Sequence, residues 1–130
     1  MRTILLALFV ALLTLAVPHG SKASIETAAT SNTPETWELL VVEAEYCIYC
    51  DLFRRDVLPA YEASDQGKQM PVRFIDVNDL DSAHLDLKSP VNIAPTFIVL
   101  KSNHEIGRIP GYVGPENFFH SINYLLAAAP

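Results

Sequence analysis

The chain of 130 residues contains two cysteines, which stand three positions apart in Cys47-Ile48-Tyr49-Cys50. Two thiols so placed can close a ring with each other or exchange with a disulfide from outside, so the first chemistry to consider is two-electron sulfur redox. Ionisation decides whether such sulfur reacts. A free cysteine with a pKa of about 8.5 is about 3% thiolate at pH 7, whereas at the start of a helix in a C-x-x-C the pKa falls to about 3.5–7.5. Unpaired backbone N–H groups and the positive end of the helix dipole favour the anion there. Cys47 is therefore the expected nucleophile. Cys50, one turn on, shares a helix face with Phe53 and Val57 and is the expected buried sulfur that resolves a mixed disulfide.

Two blander uses of the pair are weaker. A bridge that closes a loop of a few residues restricts the unfolded chain far less than a long one, so stability alone is a poor reason to join these positions. Zinc would need two more ligands, and His84, His104 and His120 have no paired spacing.

The elements that must hold the pair can be read from periodicity. Glu38 to Ala44, rich in Leu and Val, suits a strand buried on both faces, with Trp37 as a core or edge aromatic. After it Tyr49, Leu52, Phe53 and Val57 recur as one face of an amphipathic helix, which Pro59 should end or kink. Ala63 to Met70, with Gly67, reads as a loop. Pro71 to Val77 reads as a second strand and Asp79 to Lys88 as a short helix. Pro95 precedes a continuous apolar strand, and Ser102-Asn103 joins strands 97–101 and 104–109 in a hairpin. Pro115 and Glu116 open a last helix whose apolar face is Phe118, Ile122, Leu125 and Leu126.

The ends and the charge bound the setting. Arg2 followed by the apolar run Thr3 to Val17, with Ser21-Lys22-Ala23 as small residues for cleavage, reads as a secretory signal over 1–23. Residues 24–34 are small and polar and read as a flexible linker, which leaves 35–130 for one domain with a single small core. The formal charge is −6, and loss of Arg2 and Lys22 with the signal makes it more negative, which argues against a nucleic-acid surface.

With Cys47-Ile48-Tyr49-Cys50 after a buried strand, Ala94-Pro95-Thr96 before another and Gly107-Arg108-Ile109-Pro110-Gly111-Tyr112 before the last helix, Glu35 to Ala128 resembles the thioredoxin superfamily. Within it the chain looks most like small exported bacterial thioredoxin-like proteins, including those that accompany periplasmic sulfur oxidation and cytochrome maturation. The resemblance implies an α/β thioredoxin-like fold, a single domain with a central mixed sheet of about four strands flanked by helices. It implies a cis-proline at Pro95 facing the cysteines, with Ala94 offering backbone to an extended client and Tyr46 where thioredoxin has tryptophan. The buried acid of thioredoxin is matched by Val41, which leaves Glu43 and Glu45 as candidate proton acceptors or as charges that repel the thiolate. Ile48-Tyr49 matches the intervening pair of neither thioredoxin nor the strong periplasmic oxidant, whose large helical insertion is also missing. The expected activity is that of a periplasmic thiol–disulfide oxidoreductase acting as a reductase. It needs no cofactor or metal, works as a monomer on a disulfide-containing client protein, and is recharged by a membrane electron-relay protein. The alternative is a non-catalytic peptide-binding or regulatory module on the same fold.

Overall fold

The structure, a computed structural model, describes residues 34–129. The expected signal and all but the last residue of the expected linker lie outside them.

The apolar run after Trp37 becomes strand β1, Trp37–Glu43, in which Leu39, Leu40, Val41 and Val42 are wholly buried. A strand so enclosed must be central. β1 lies parallel to β2 (Val72–Asp76) on one side and antiparallel to β3 (Thr96–Lys101) on the other. β3 pairs in turn with β4 (His104–Pro110), giving a mixed four-stranded sheet in the order β2-β1-β3-β4. The β3–β4 hairpin turns on Ser102 and Asn103, both at positive φ (49° and 67°), the twist a two-residue hairpin requires.

Alternation along the strands splits the core in two. Leu39, Val41, Phe97 and Val99 face the helices, meeting Phe53 and Val57, Tyr61, and Phe118 and Ile122. These belong to α1 (Ile48–Asp56) and its C-cap Val57, to α2 (Leu58–Ala63) and to α4 (Pro115–Ala127). Phe53, Phe97 and Phe118 form a tilted cluster with ring centroids 4.6–5.2 Å apart. On the opposite side Leu40, Val42, Ile98 and Leu100 are covered by apolar residues of 77–91.

Three expectations change on contact with the fold. Tyr49 is half-exposed, because the buried line of α1 runs through Cys50 and Phe53 and continues into Val57. The segment 63–70 is not a loop but contains α3, Asp65–Gln69. Ser64 starts it, its Oγ accepting the Gly67 N–H at 3.0 Å and donating to the Tyr61 carbonyl at 2.6 Å. Gly67 is therefore no breaker: a Cβ there would collide with the Tyr61 carbonyl, and glycine permits the close approach. Finally, 79–88 is not one helix. A 3-10 turn over Val77–Ala83 ends at His84 (φ 51°), and beyond it Leu85 and Leu87 point into the second cluster while Asp86 and Lys88 point out. That period of two is extended chain, which Asp86 attaches to β4 by a single bridge to His104. Pro59 behaves as expected: α1 stops at Asp56, Val57 forms the joint, and the proline sits in the first turn of α2, where a missing N–H costs nothing.

Glu105 is a charged group inside this fold, 6% exposed. Burial pushes its carboxyl pKa up, but hydrogen bonds from Arg108 and the Lys88 N–H outweigh that and hold it below the ordinary glutamate value. A depressed folded-state pKa adds stability above the unfolded value, near 4.3, and loses it as pH falls through the folded one.

Two outcomes follow. Gly67→Ala should cost about 2 kcal/mol and lower the melting temperature by roughly 10 °C in a calorimetric scan, since backbone and not a flexible side chain stands in the way. Glu105→Gln should melt below the wild type at pH 7, and the gap should close as both are scanned below about pH 4.

Candidate active site

The site is built where β1 runs out. After Glu43 the chain turns through Glu45 and Tyr46, the latter at φ 57°, and delivers Cys47 as the N-cap of α1. The Cys47 carbonyl accepts the N–H groups of Cys50 (3.1 Å) and Asp51 (3.2 Å), and the Cys50 N–H also points at Cys47 Sγ from 3.2 Å. Cys47 and Cys50 form a disulfide with Cα atoms 5.3 Å apart. Their exposure is unequal. Cys50 is 4% exposed, on the face that continues into Phe53, whereas Cys47 is partly open to solvent.

Strand register brings the second half of the site to the same place. Val42 pairs with Thr96, so Pro95 lies one residue from the end of β1 that leads into the cysteines. The Ala94–Pro95 peptide is cis. The Pro95 carbonyl accepts the Gly111 N–H at 2.8 Å, and Thr96 Oγ1 donates to the Ile93 carbonyl at 2.6 Å. Gly111 sits at φ 78°, a conformation that favours glycine. Pro95 is buried and Ala94 half-buried. Exposed apolar side chains also come from this part of the chain: Tyr46 is 94% exposed, and Ile48, Tyr49, Ile93 and Val113 are each more than half exposed.

The two acids differ. Both oxygens of Glu43 are taken by Arg54 of α1, from Nε at 2.9 Å and Nη2 at 2.5 Å, and the guanidinium lies 3.6 Å over the Phe74 ring. Glu45 is exposed at the turn. Arg54 was not legible as part of the site, since its tie to Glu43 spans 11 residues between a strand and a helix. The Tyr112 hydroxyl is buried with no hydrogen-bond partner, and burial followed by the charge of Asp56 raises its pKa. Among the described residues no cluster of three or more His, Cys, Asp or Glu is placed to hold a metal. No helix among them is long and apolar enough to cross a membrane.

A strand feeding a dithiol at a helix N-cap, with Pro95 set by register beside the end of that strand, defines a class. The thioredoxin-like domain family matches residues 22–126, and the chain belongs to it. It is similar to the periplasmic thioredoxin SoxS of Paracoccus pantotrophus, solved in its reduced form, with 31% identity, a TM-score of 0.67 and coverage of 70% of this chain and 96% of that one. Thioredoxin-2, a component of malaria parasite protein secretion machinery, shares the fold at 21% identity and a TM-score of 0.53, covering 69% of this chain and 84% of that one. No curated protein sequence matches the chain significantly. A thioredoxin-like fold with a C-x-x-C pair at disulfide distance supports thiol–disulfide oxidoreduction as the activity.

The unequal burial has a direct readout. In the native, reduced protein iodoacetamide should label Cys47 and spare Cys50, giving a single adduct by mass spectrometry, and the labelling rate should titrate with a pKa below the free-thiol value of about 8.5.

Proposed function

We propose that the protein is an exported reductase of protein disulfides that works through a Cys47/Cys50 dithiol. The observation that carries this reading is the asymmetric sulfur pair at the start of α1: one sulfur is reachable and faces a backbone N–H, the other is enclosed beside it.

The Cys47 thiolate attacks one sulfur of a client disulfide. A bond forms between Cys47 and that sulfur, and the other client sulfur leaves as thiolate. Cys50, deprotonated in turn, attacks Cys47 Sγ and displaces the second client sulfur, closing the Cys47–Cys50 disulfide. Two electrons pass from the dithiol to the client, and its two thiolates take up the protons the cysteines gave up. The client lies as an extended chain against the Ala94–Pro95 backbone, with Tyr46 beside it. Of the two acids near the pair, Glu43 is engaged by Arg54, so Glu45, open to solvent, is the one positioned to take a proton.

Export rests on the N-terminal sequence and on the similarity to a periplasmic thioredoxin. In that compartment the oxidised pair needs a supply of electrons, which we assign to a membrane relay protein. The direction, reduction and not oxidation, rests on Ile48-Tyr49 between the cysteines and on the short 95-residue span from Glu35 to Ala129, which leaves no room for a helical insertion. The protein acts as a monomer.

Cys47→Ser should lower insulin reduction with dithiothreitol as electron source to the uncatalysed rate of dithiothreitol alone, because the attacking sulfur itself is gone. Cys50→Ser should accumulate a mixed disulfide with its client, visible as a non-reducing gel shift. A wild type that fails to reduce insulin, with client binding left intact in Cys47→Ser, would leave only the binding-module reading.

A further inference from the structure

Residues 89–95 carry Ile93, Ala94 and Pro95 without regular structure, yet they are fastened at both ends. On the cysteine side Thr96 and Gly111 hold the Ile93 and Pro95 carbonyls. On the far side one guanidinium does the work. Arg108 Nη2 donates to the Ser89 carbonyl at 2.8 Å and Nη1 to the Pro90 carbonyl at 3.1 Å. The same group forks onto Glu105, Nε to Oε1 at 2.7 Å and Nη2 to Oε2 at 2.5 Å, and Glu105 Oε2 also accepts the Lys88 N–H at 2.9 Å. Lys88 Nζ adds a bond to the Ile106 carbonyl at 2.6 Å. The planar fork of arginine aims at carboxylate and carbonyls together, which a lysine cannot reproduce.

The arrangement depends on an irregularity in β4. Residues 105 and 108 are three apart and on a regular strand would face opposite sides of the sheet. Here Glu105 pairs with Leu100 and Arg108 with Ile98, two positions apart on β3, because a register shift inserts one extra residue between them. Both side chains thereby reach the face that residues 77–91 cover. The Glu105 side chain is 2% exposed, so its charge is held in place by these partners and not by water.

We propose that Arg108, held by Glu105, is a positioning residue for disulfide exchange. By holding the Ser89 and Pro90 carbonyls it anchors the irregular segment that leads to the Ala94–Pro95 backbone where a client chain lies, and so sets client affinity without touching either sulfur. This rests on the reading of Ala94 and Pro95 as the client-binding backbone.

The test compares two oxidised substrates: insulin, which must dock, and hydroxyethyl disulfide, which is too small to use the groove. Arg108→Gln should raise KM for insulin about five- to tenfold with kcat held within about twofold, and leave the rate with hydroxyethyl disulfide unchanged. Arg108→Lys, which keeps the charge facing Glu105 and loses the fork, should give a smaller rise in KM and faster amide hydrogen exchange at Val91–Ala94. Arg73→Gln, which breaks a surface ion pair with Glu38 elsewhere on the sheet, should leave KM where it was. An unchanged insulin KM in both Arg108 variants, a parallel fall with hydroxyethyl disulfide, or an equal rise in Arg73→Gln would overturn the proposal. If Arg108→Gln does not fold, Arg108→Lys carries the same comparison. A wild type inactive on both substrates would instead sink the functional reading, while unaltered exchange at Val91–Ala94 in Arg108→Lys would sink the clamp.

Discussion

Everything the site does depends on one meeting: a sulfur set at the N-cap of a helix, with the N–H of the residue three positions on directed at it. The free end of α1 supplies partial positive charge where the departing and attacking sulfurs carry negative charge. The position of that end is set by β1, whose full burial on both faces allows it little freedom. Holding α1 against the sheet is the task of Phe53 and Val57 in the helix-side core and of the Arg54–Glu43 pair at its rim. Of these the apolar contacts carry the larger weight, since an exposed ion pair contributes no more than about 1 kcal/mol.

The parts legible in the sequence were those whose signal is local. β1, the first part of α1, the hairpin at Ser102-Asn103 and α4 follow from period, proline and turn chemistry within a few residues of where they act. At 63–70 the sequence points to a loop because glycine marks both loops and close approaches, and only the position of the Tyr61 carbonyl separates the two. At 79–88 the sequence is ambiguous because leucines at 80, 85 and 87 mix a helical with an extended spacing; contact with the second core cluster selects the extended one beyond His84. Neither Arg54–Glu43 nor Arg108–Glu105 could be foreseen. The first joins two elements through tertiary register, and the second needs a bulge to bring alternate faces into line. Cys47 and Cys50 were visible from spacing alone, whereas the place of Ala94 and Pro95 beside them came from resemblance, because nothing local to Ala-Pro-Thr says which strand it will meet.

The two faces of the sheet divide the work. The helix-side core, built from interlocked aromatic rings, fixes the sulfur pair. The opposite face is covered by a 3-10 turn and extended chain, with fewer large side chains and more polar ties, and those ties hold the Ser89 and Pro90 carbonyls. Exchange at sulfur requires attacking, central and leaving atoms in line, so a client must rest in place before the thiolate can act on it. Since β1 and β3 are neighbours in register, Val42 against Thr96, both requirements are referred to one pair of strands. A fold that met only the first would bind clients poorly however reactive its cysteine. On the proposed reading the polar clamp on the second face serves client binding, and the helix dipole on the first serves the exchange itself.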